Sequence, residues 1–281
     1  MENRPVCPNC RALLSTADRV CPYCEFEIKA ARPPLAPRRG TEAAELLGGF
    51  IPQDRYATFL ILTINVALYL ACMLMNPEGT ALGDINTRVL LLFGAKRGDL
   101  VVEHGDWFRL VTAGFLHGGL LHLLMNSWAM LDLGAFVERT FGLWRFLAIY
   151  FASTVGGFLL SSYMSYYTPS VGSSAGIFGL IGSMIALGLI DRSAMGEEIK
   201  QQAIRWAMYG LLIGLLPFNM DNAAHIGGLI TGLIVTYVAG FPSLFMNLKE
   251  RVWQVLGSVC LILTGVSFLR WYWWFSGMQS R

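Results

Sequence analysis

Residues 56–75 (YATFLILTINVALYLACMLM) form a run of twenty without a single charge. As a helix such a run is about 30 Å long, the thickness of one bilayer hydrocarbon core. Backbone placed in lipid must satisfy its own hydrogen bonds, so the run is predicted as a helix. Further apolar windows occur near 119–137, 144–165, 173–191, 204–220, 222–241 and 253–270, which makes seven candidate spans. The weakest is 204–220, because Pro217 sits near its end. Only 14% of the 281 residues are charged and 54% are hydrophobic, where a water-soluble domain carries about a quarter charged. The fold class predicted is an all-α polytopic membrane protein. A net charge of +2 gives no reason to expect a polyanionic partner.

The first 50 residues are polar and hold no apolar core of a cleavable leader. Lys29, Arg32, Arg38 and Arg39 precede the first span and are expected to stay in the cytoplasm. Seven spans then put Arg139 and Arg145, Arg192, Lys200 and Arg205, and Lys249 and Arg251 on the same side. Arg88, Lys96, Arg97 and Arg109 fall outside by this count, in a long loop with acidic neighbours. A bacterial plasma membrane is the simplest setting for this arrangement.

Residues 7–24 read CPNCRALLSTADRVCPYC, two C-P-x-C knuckles ten residues apart. Four thiolates from Cys7, Cys10, Cys21 and Cys24 would close a tetrahedral structural Zn²⁺ site. A module this short has little core, so the metal would supply most of its stability. Two disulfides or unpaired thiols are the alternative, and a reducing cytoplasm argues for the metal. Such ribbons bind nucleic acid, bind a protein partner, or stabilise a terminus. Without a basic, aromatic-rich face, nucleic acid is not the expected partner, which leaves a cytoplasmic protein or a purely structural role. Cys72 and Cys260 lie within spans as small apolar residues. The expected organisation is a zinc ribbon over 1–27, a proline-rich linker over 28–52, a six-span core over 53–245 and an additional span over 246–281.

Ionisable groups within spans are costly and point to function. Of the four histidines, His122 and His225 lie within spans, His117 at a span mouth, and His104 in a loop. His122 and Asn126 are four apart and share a helix face, where imidazole and amide could both donate to an oxyanion. His225, Gly228 and Gly232 also share a face, and the G-x-x-x-G pair predicts close approach of another helix. In VGSSAGIFGLIG, residues 171–182, Ser174, Phe178 and Gly182 form a third such face. Ser174 is therefore the serine expected to meet His225, while Ser173 shares its face with Ile177 and Ile181 and is expected to be the helix N-cap. At a helix start, just after Gly172, Ser174 has free backbone donors beside it, and its own N–H could join the oxyanion site. The string Gly172-Ser173-Ser174-Ala175-Gly176 also fits the esterase elbow, but no buried strand precedes it. Asp221 is read as a loop or helix-start residue.

These residues resemble the rhomboid family of intramembrane serine proteases. The resemblance runs through DWFRLVTAGFLH (106–117), FLHGGLLHLLMNSWAM, LGAFVERTFG (133–142), VGSSAGIFGLIG and AAHIGGLITG, and covers roughly residues 55–245. It implies Ser174 as nucleophile and His225 as general base, with no catalytic cofactor. It further implies an oxyanion hole from His122, Asn126 and the Ser174 N–H, with His117 and Gly172 as auxiliary residues. The implied fold is a six-helix core around a short central serine helix, with a water-filled cavity open to the outside. Phe178 is the candidate aromatic neighbour that orients the imidazole without a carboxylate, a plain core aromatic being the alternative. Ala175 stands where many members have glycine, and the seventh span and the ribbon lie beyond the family core. The function implied is cleavage of transmembrane or juxtamembrane segments of membrane proteins. The rival reading is a non-proteolytic protein that holds membrane clients in the same groove.

Overall fold

The computed structural model describes residues 6, 7, 9, 20, 21, 23–27, 55–76, 83–215, 220–240 and 248–279. The chain divides into two compact units, Met1–Phe50 and Ile51–Arg281. In the first, the described residues form a tight knuckle: Glu25 N–H donates to the Cys21 carbonyl at 2.9 Å and Cys21 N–H to that of Phe26 at 3.0 Å.

The second unit is helical, and no strand occurs among its described residues. Helix α1, Tyr56–Leu74, buries a stripe at Ala57, Ile61, Asn65, Tyr69 and Cys72, one helical turn apart along one face. Its first turn has no local cap. The Glu138 carboxylate, far along the chain, accepts instead from the N–H groups of Ala57 and Thr58, each at 2.9 Å, and from Thr58 Oγ1 at 2.7 Å. A buried anion at the positive end of a helix thus ties α1 to the second long helix.

The loop after α1 folds as three short helices, α2 Thr87–Leu92, α3 Gly98–Val102 and α4 Arg109–Thr112. Fully buried Arg109 holds this loop together, donating to Asp106 at 3.0 Å and to the carbonyls of Leu91 and Ala95 at 2.9 and 3.0 Å. Helix α5, Leu120–Phe141, contains a π-turn at Met130–Gly134. Helices α6, Leu143–Met164, α7, Ser174–Ile190, and α9, Asn222–Ala239, form the centre. Thirteen of the 17 residues of α7 are buried, so this helix is sheathed by protein rather than lipid.

Among the described residues, five helices are long and apolar enough to cross a membrane: α1, α5, α6, α9 and α10, Leu248–Gln279. Each of the seven sequence windows overlaps a helix among the described residues, but two of those helices do not qualify by length and composition. Helix α7 is apolar but only 17 residues long. The window 204–220 is corrected in position: helix α8 starts earlier, at Ala194, and ends at Ile213, before Pro217. Its start is set by Ser193, whose side chain accepts from Gly196 N–H at 3.2 Å. Glu197, paired with Lys200 at 2.7 Å and with Gln201 at 3.1 Å, makes its first turns polar. Residues 216–219 lie outside the described ones.

The last helix, α10, is held at both ends. Arg145 of α6 forms a bidentate ion pair with Glu250 and lies over the Trp253 ring, 5.6 Å from its centroid. At the other end Trp271 Nε1 donates to the Leu92 carbonyl at 2.8 Å, and the Arg109 guanidinium sits 4.7 Å from the Trp274 ring centroid.

Candidate active site

Helices α7 and α9 approach to backbone contact because both carry glycine where they cross. A Cβ on Gly232 would lie 2.5 Å from the Gly179 Cα, closer than any side chain tolerates. That contact brings the starts of the two helices together. Ser174 opens α7, and His225 lies in the first turn of α9. Ser174 Oγ and His225 Nε2 are 3.0 Å apart, a hydrogen bond.

The imidazole is packed on one face, and its residue is anchored through the main chain. Its ring stacks on Phe178, one turn further along α7, with centroids 4.2 Å apart and 7° between planes. Its backbone N–H donates to the Asp221 carbonyl at 3.1 Å. Asp221 is the N-cap of α9, accepting from Ala224 N–H at 3.0 Å. Its carboxylate turns to Ser161 and Lys96 and makes no bond to the imidazole. His225 Nδ1 is buried without a hydrogen-bond partner among the described residues, so no carboxylate stands behind the ring.

Gly172 has φ of +127°, a conformation suited to glycine, and its N–H donates to the Ala113 carbonyl at 3.0 Å. A Cβ added there would lie 2.8 Å from His122 Nε2 and 3.6 Å from Ser174 Oγ. The missing side chain leaves a space bounded by nucleophile and imidazole. The Gly118 N–H points at His122 Nδ1 from 3.5 Å, and Nε2 of the same ring faces that space. Asn126 is buried next to it and donates through Nδ2 to the His122 carbonyl at 3.1 Å. His117 is fully buried, edge-on to His122 with centroids 5.2 Å apart.

Ser174, His225 and Phe178 are thus joined by direct contacts, Gly172 and His122 border the space beside the serine, and His117 and Asn126 are linked to His122. One expectation needs correction. Ser173 stands at the N-cap position, but its φ and ψ of −71° and −2° are helical and its side chain makes no capping bond. It is fully buried, because the loop turns its side chain into the protein. Two further residues at the site, Lys96 and Ser161, gave no sequence signal, since neither lies at a helical spacing from the serine or the histidine.

In the N-terminal unit the sulfur atoms of Cys7, Cys21 and Cys24 lie within 4.8 Å of one another. Cys7 and Cys24 are 3.7 Å apart at sulfur, well beyond a disulfide bond of about 2.05 Å. Tetrahedral zinc with Zn–S bonds of about 2.3 Å needs sulfurs about 3.8 Å apart, so the spacing fits the metal. Cys10, the fourth predicted ligand, lies outside the described residues.

A bundle of apolar helices with a serine–histidine pair near the start of its innermost helix defines a class of polytopic membrane protein. Its relatives are identifiable. The family described as Rhomboid domain matches residues 104–241. The chain is 34% identical over 232 residues to Rhomboid protease GluP of Bacillus subtilis (strain 168), covering 83% of this chain and 43% of that one. It is 34% identical over 186 residues to Rhomboid-like protease 3 of Toxoplasma gondii, covering 65% of this chain and 68% of the relative. It is also 35% identical over 156 residues to Inactive RHOMBOID-like protein 8 of Arabidopsis thaliana, covering 55% and 44%. The chain belongs to the rhomboid family. It spans 43% of the length of GluP and 41% of that of RHOMBOID-like protein 9, less than half of either. With proteins named as proteases and as inactive among its relatives, kinship alone does not decide activity; the chemistry of the site must.

Proposed function

We propose that the protein is an intramembrane serine endopeptidase that cleaves transmembrane or juxtamembrane segments of membrane proteins. The observation that carries this reading is the 3.0 Å bond between Ser174 Oγ and His225 Nε2. Ser174 Oγ attacks the substrate carbonyl carbon as its proton passes to His225 Nε2. The oxyanion that forms occupies the space beside Gly172, where His122 Nε2–H, the Asn126 amide and the Ser174 N–H donate to it. His225 then protonates the leaving amine, and a water activated by the same imidazole hydrolyses the acyl-enzyme. A helical substrate keeps its carbonyls hydrogen-bonded, so the scissile segment must unwind, and small or helix-breaking residues near the cut favour that.

The basic residues flanking the long helices support a plasma-membrane protein, bacterial by the simplest reading, with its N-terminal unit in the cytoplasm and Ser174 near the opposite face. In the N-terminal unit, Cys7, Cys10, Cys21 and Cys24 would hold one structural zinc, within a ribbon over 1–27 that recruits a cytoplasmic protein. A linker over 28–52 leads to the rhomboid core over 53–245 and an appended helix over 246–281.

The test is fluorophosphonate labelling of the purified protein in bilayers, comparing wild type with Ser174→Ala and His225→Ala. Labelling confined to wild type is expected. Equal labelling of all three folded proteins, or of none, sinks the dyad and leaves the client-holding reading, for which the inactive relative is the precedent.

A further inference from the structure

Lys96 is fully buried, in the loop between α2 and α3. Burial pushes its pKa below the ordinary lysine value, and Asp221 opposes that shift. An ammonium removed from water costs several kcal/mol unless its protons find acceptors, so its contacts show what the cost secures. Lys96 Nζ donates to the carbonyls of Ser165 and Thr168, at 3.1 and 3.3 Å, in the turn that ends α6. It also lies 3.8 Å from Asp221 Oδ2. The backbone of the same residue makes a two-way bridge: Lys96 N–H donates to the Ser170 carbonyl at 3.0 Å, and Ser170 N–H returns the bond at 2.8 Å.

The two partners occupy equivalent places. Ser170 is four residues before Ser174, and Asp221 is four residues before His225. A residue outside both helices therefore grips the chain entering the serine helix with its backbone and the chain entering the histidine helix with its side chain. Deeper in the bundle, the α7–α9 spacing is fixed by glycine contact. Nearer the entry ends Gly228 backs onto the Ala175 carbonyl, so the helices are close there too. The segments that lead into them, at Ser170 and Asp221, lie beyond that contact and need a tie of their own, which Lys96 supplies. The need is acute because His225 Nδ1 has no partner to hold the ring from behind.

We propose that Lys96 is a positioning residue for the Ser174–His225 pair, acting through Ser170 on one helix start and through Asp221 on the other. This rests on the hydrolytic reading above. It predicts a loss in the reacting geometry larger than the loss in stability or in substrate binding.

The experiment uses the full chain in proteoliposomes, with Lys96→Met, Asp221→Asn, the double variant, and Tyr166→Phe as control. Tyr166 bonds Glu103 at the exposed edge of the same loop and touches neither grip through its side chain. Three quantities are read: the fluorophosphonate labelling rate of Ser174, kcat and KM on a transmembrane peptide rich in small residues, and Tm. A displacement of about 1 Å costs roughly 100-fold in rate, so Lys96→Met should slow labelling and lower kcat by about that factor, with KM within about twofold. Asp221→Asn, which retains a capping oxygen, should lose about tenfold, and the double variant should be no slower than Lys96→Met, because both break one linkage. Tyr166→Phe should match wild type.

Wild-type labelling and kcat in Lys96→Met overturn the proposal. So do a rise in KM at unchanged kcat, or losses that multiply in the double variant. Should Lys96→Met fail to fold, Asp221→Asn decides: a wild-type labelling rate there overturns the proposal. An unlabelled wild type would instead defeat the hydrolytic reading, taking this inference with it, whereas a labelled wild type with equally labelled variants defeats the positioning role alone.

Discussion

The Phe178 ring and the His225 imidazole lie face to face, 7° from parallel with centroids 4.2 Å apart. The stack restrains the rotation of the ring that presents Nε2 to Ser174, the task a carboxylate performs in a three-membered triad. A carboxylate in that place would have to be ionised among apolar helices, which a phenyl ring avoids.

Replacing Phe178 by leucine keeps most of the buried volume and removes the stack. An aromatic pair contributes about 0.5–1.5 kcal/mol beyond its area, so labelling of Ser174 should slow by roughly 2- to 12-fold. The rate of fluorophosphonate labelling checks this, with Tm as the control for packing.

Gly172→Ala tests the space between nucleophile and imidazole. The new Cβ would meet His122 Nε2 at 2.8 Å, on backbone that disfavours any side chain. If that space takes the oxyanion, kcat should fall by about 100-fold, the order lost with one oxyanion donor, and KM should move little. Steady-state kinetics on a transmembrane peptide distinguish this from a rise in KM, which would place the space in substrate binding instead.

Glu138→Gln should act on stability and leave the chemistry alone. Glutamine retains one carbonyl oxygen for three donors on α1 and turns an amide N–H toward the remainder. Losing charge-assisted bonds at a buried helix start costs about 2–4 kcal/mol. A lower Tm in detergent with wild-type labelling at low temperature is the expected pair of results.

The cysteine cluster predicts one zinc per chain. Cys21→Ser should abolish the bound metal, because three thiolates and a hydroxyl hold zinc far more weakly than four thiolates. Metal analysis of the purified protein reads the stoichiometry directly, and an unchanged zinc content in the variant would exclude Cys21 as a ligand.

Much of this arrangement was legible because it is periodic. Spacing alone put Ser174 rather than Ser173 on the face toward His225, and the glycines at 228 and 232 announced a close helix contact; the structure has Ser174 and His225 bonded and Gly232 against Gly179. What could not be read was what the chain brings together from afar. Lys96 reads as an ordinary loop cation until its carbonyl and carboxylate partners are seen. Glu138 caps a helix about 80 residues away, which no local pattern encodes. Ser173 misled for the converse reason: a serine before an apolar helix is a strong capping signal, and here tertiary packing turned it inward. The window at 204–220 was misplaced because an apolar search overlooks turns whose charges pair with one another.

Helix α7 has 17 residues, about 25 Å of rise, against a hydrocarbon core of about 30 Å. The deficit is close to one helical turn. Protein sheathes α7, so acyl chains meet its longer neighbours and bilayer thickness acts on this helix only through them. Where a spanning helix would add one more turn, this one stops at Ser174, and the chain runs back from it as the loop through Gly172 instead.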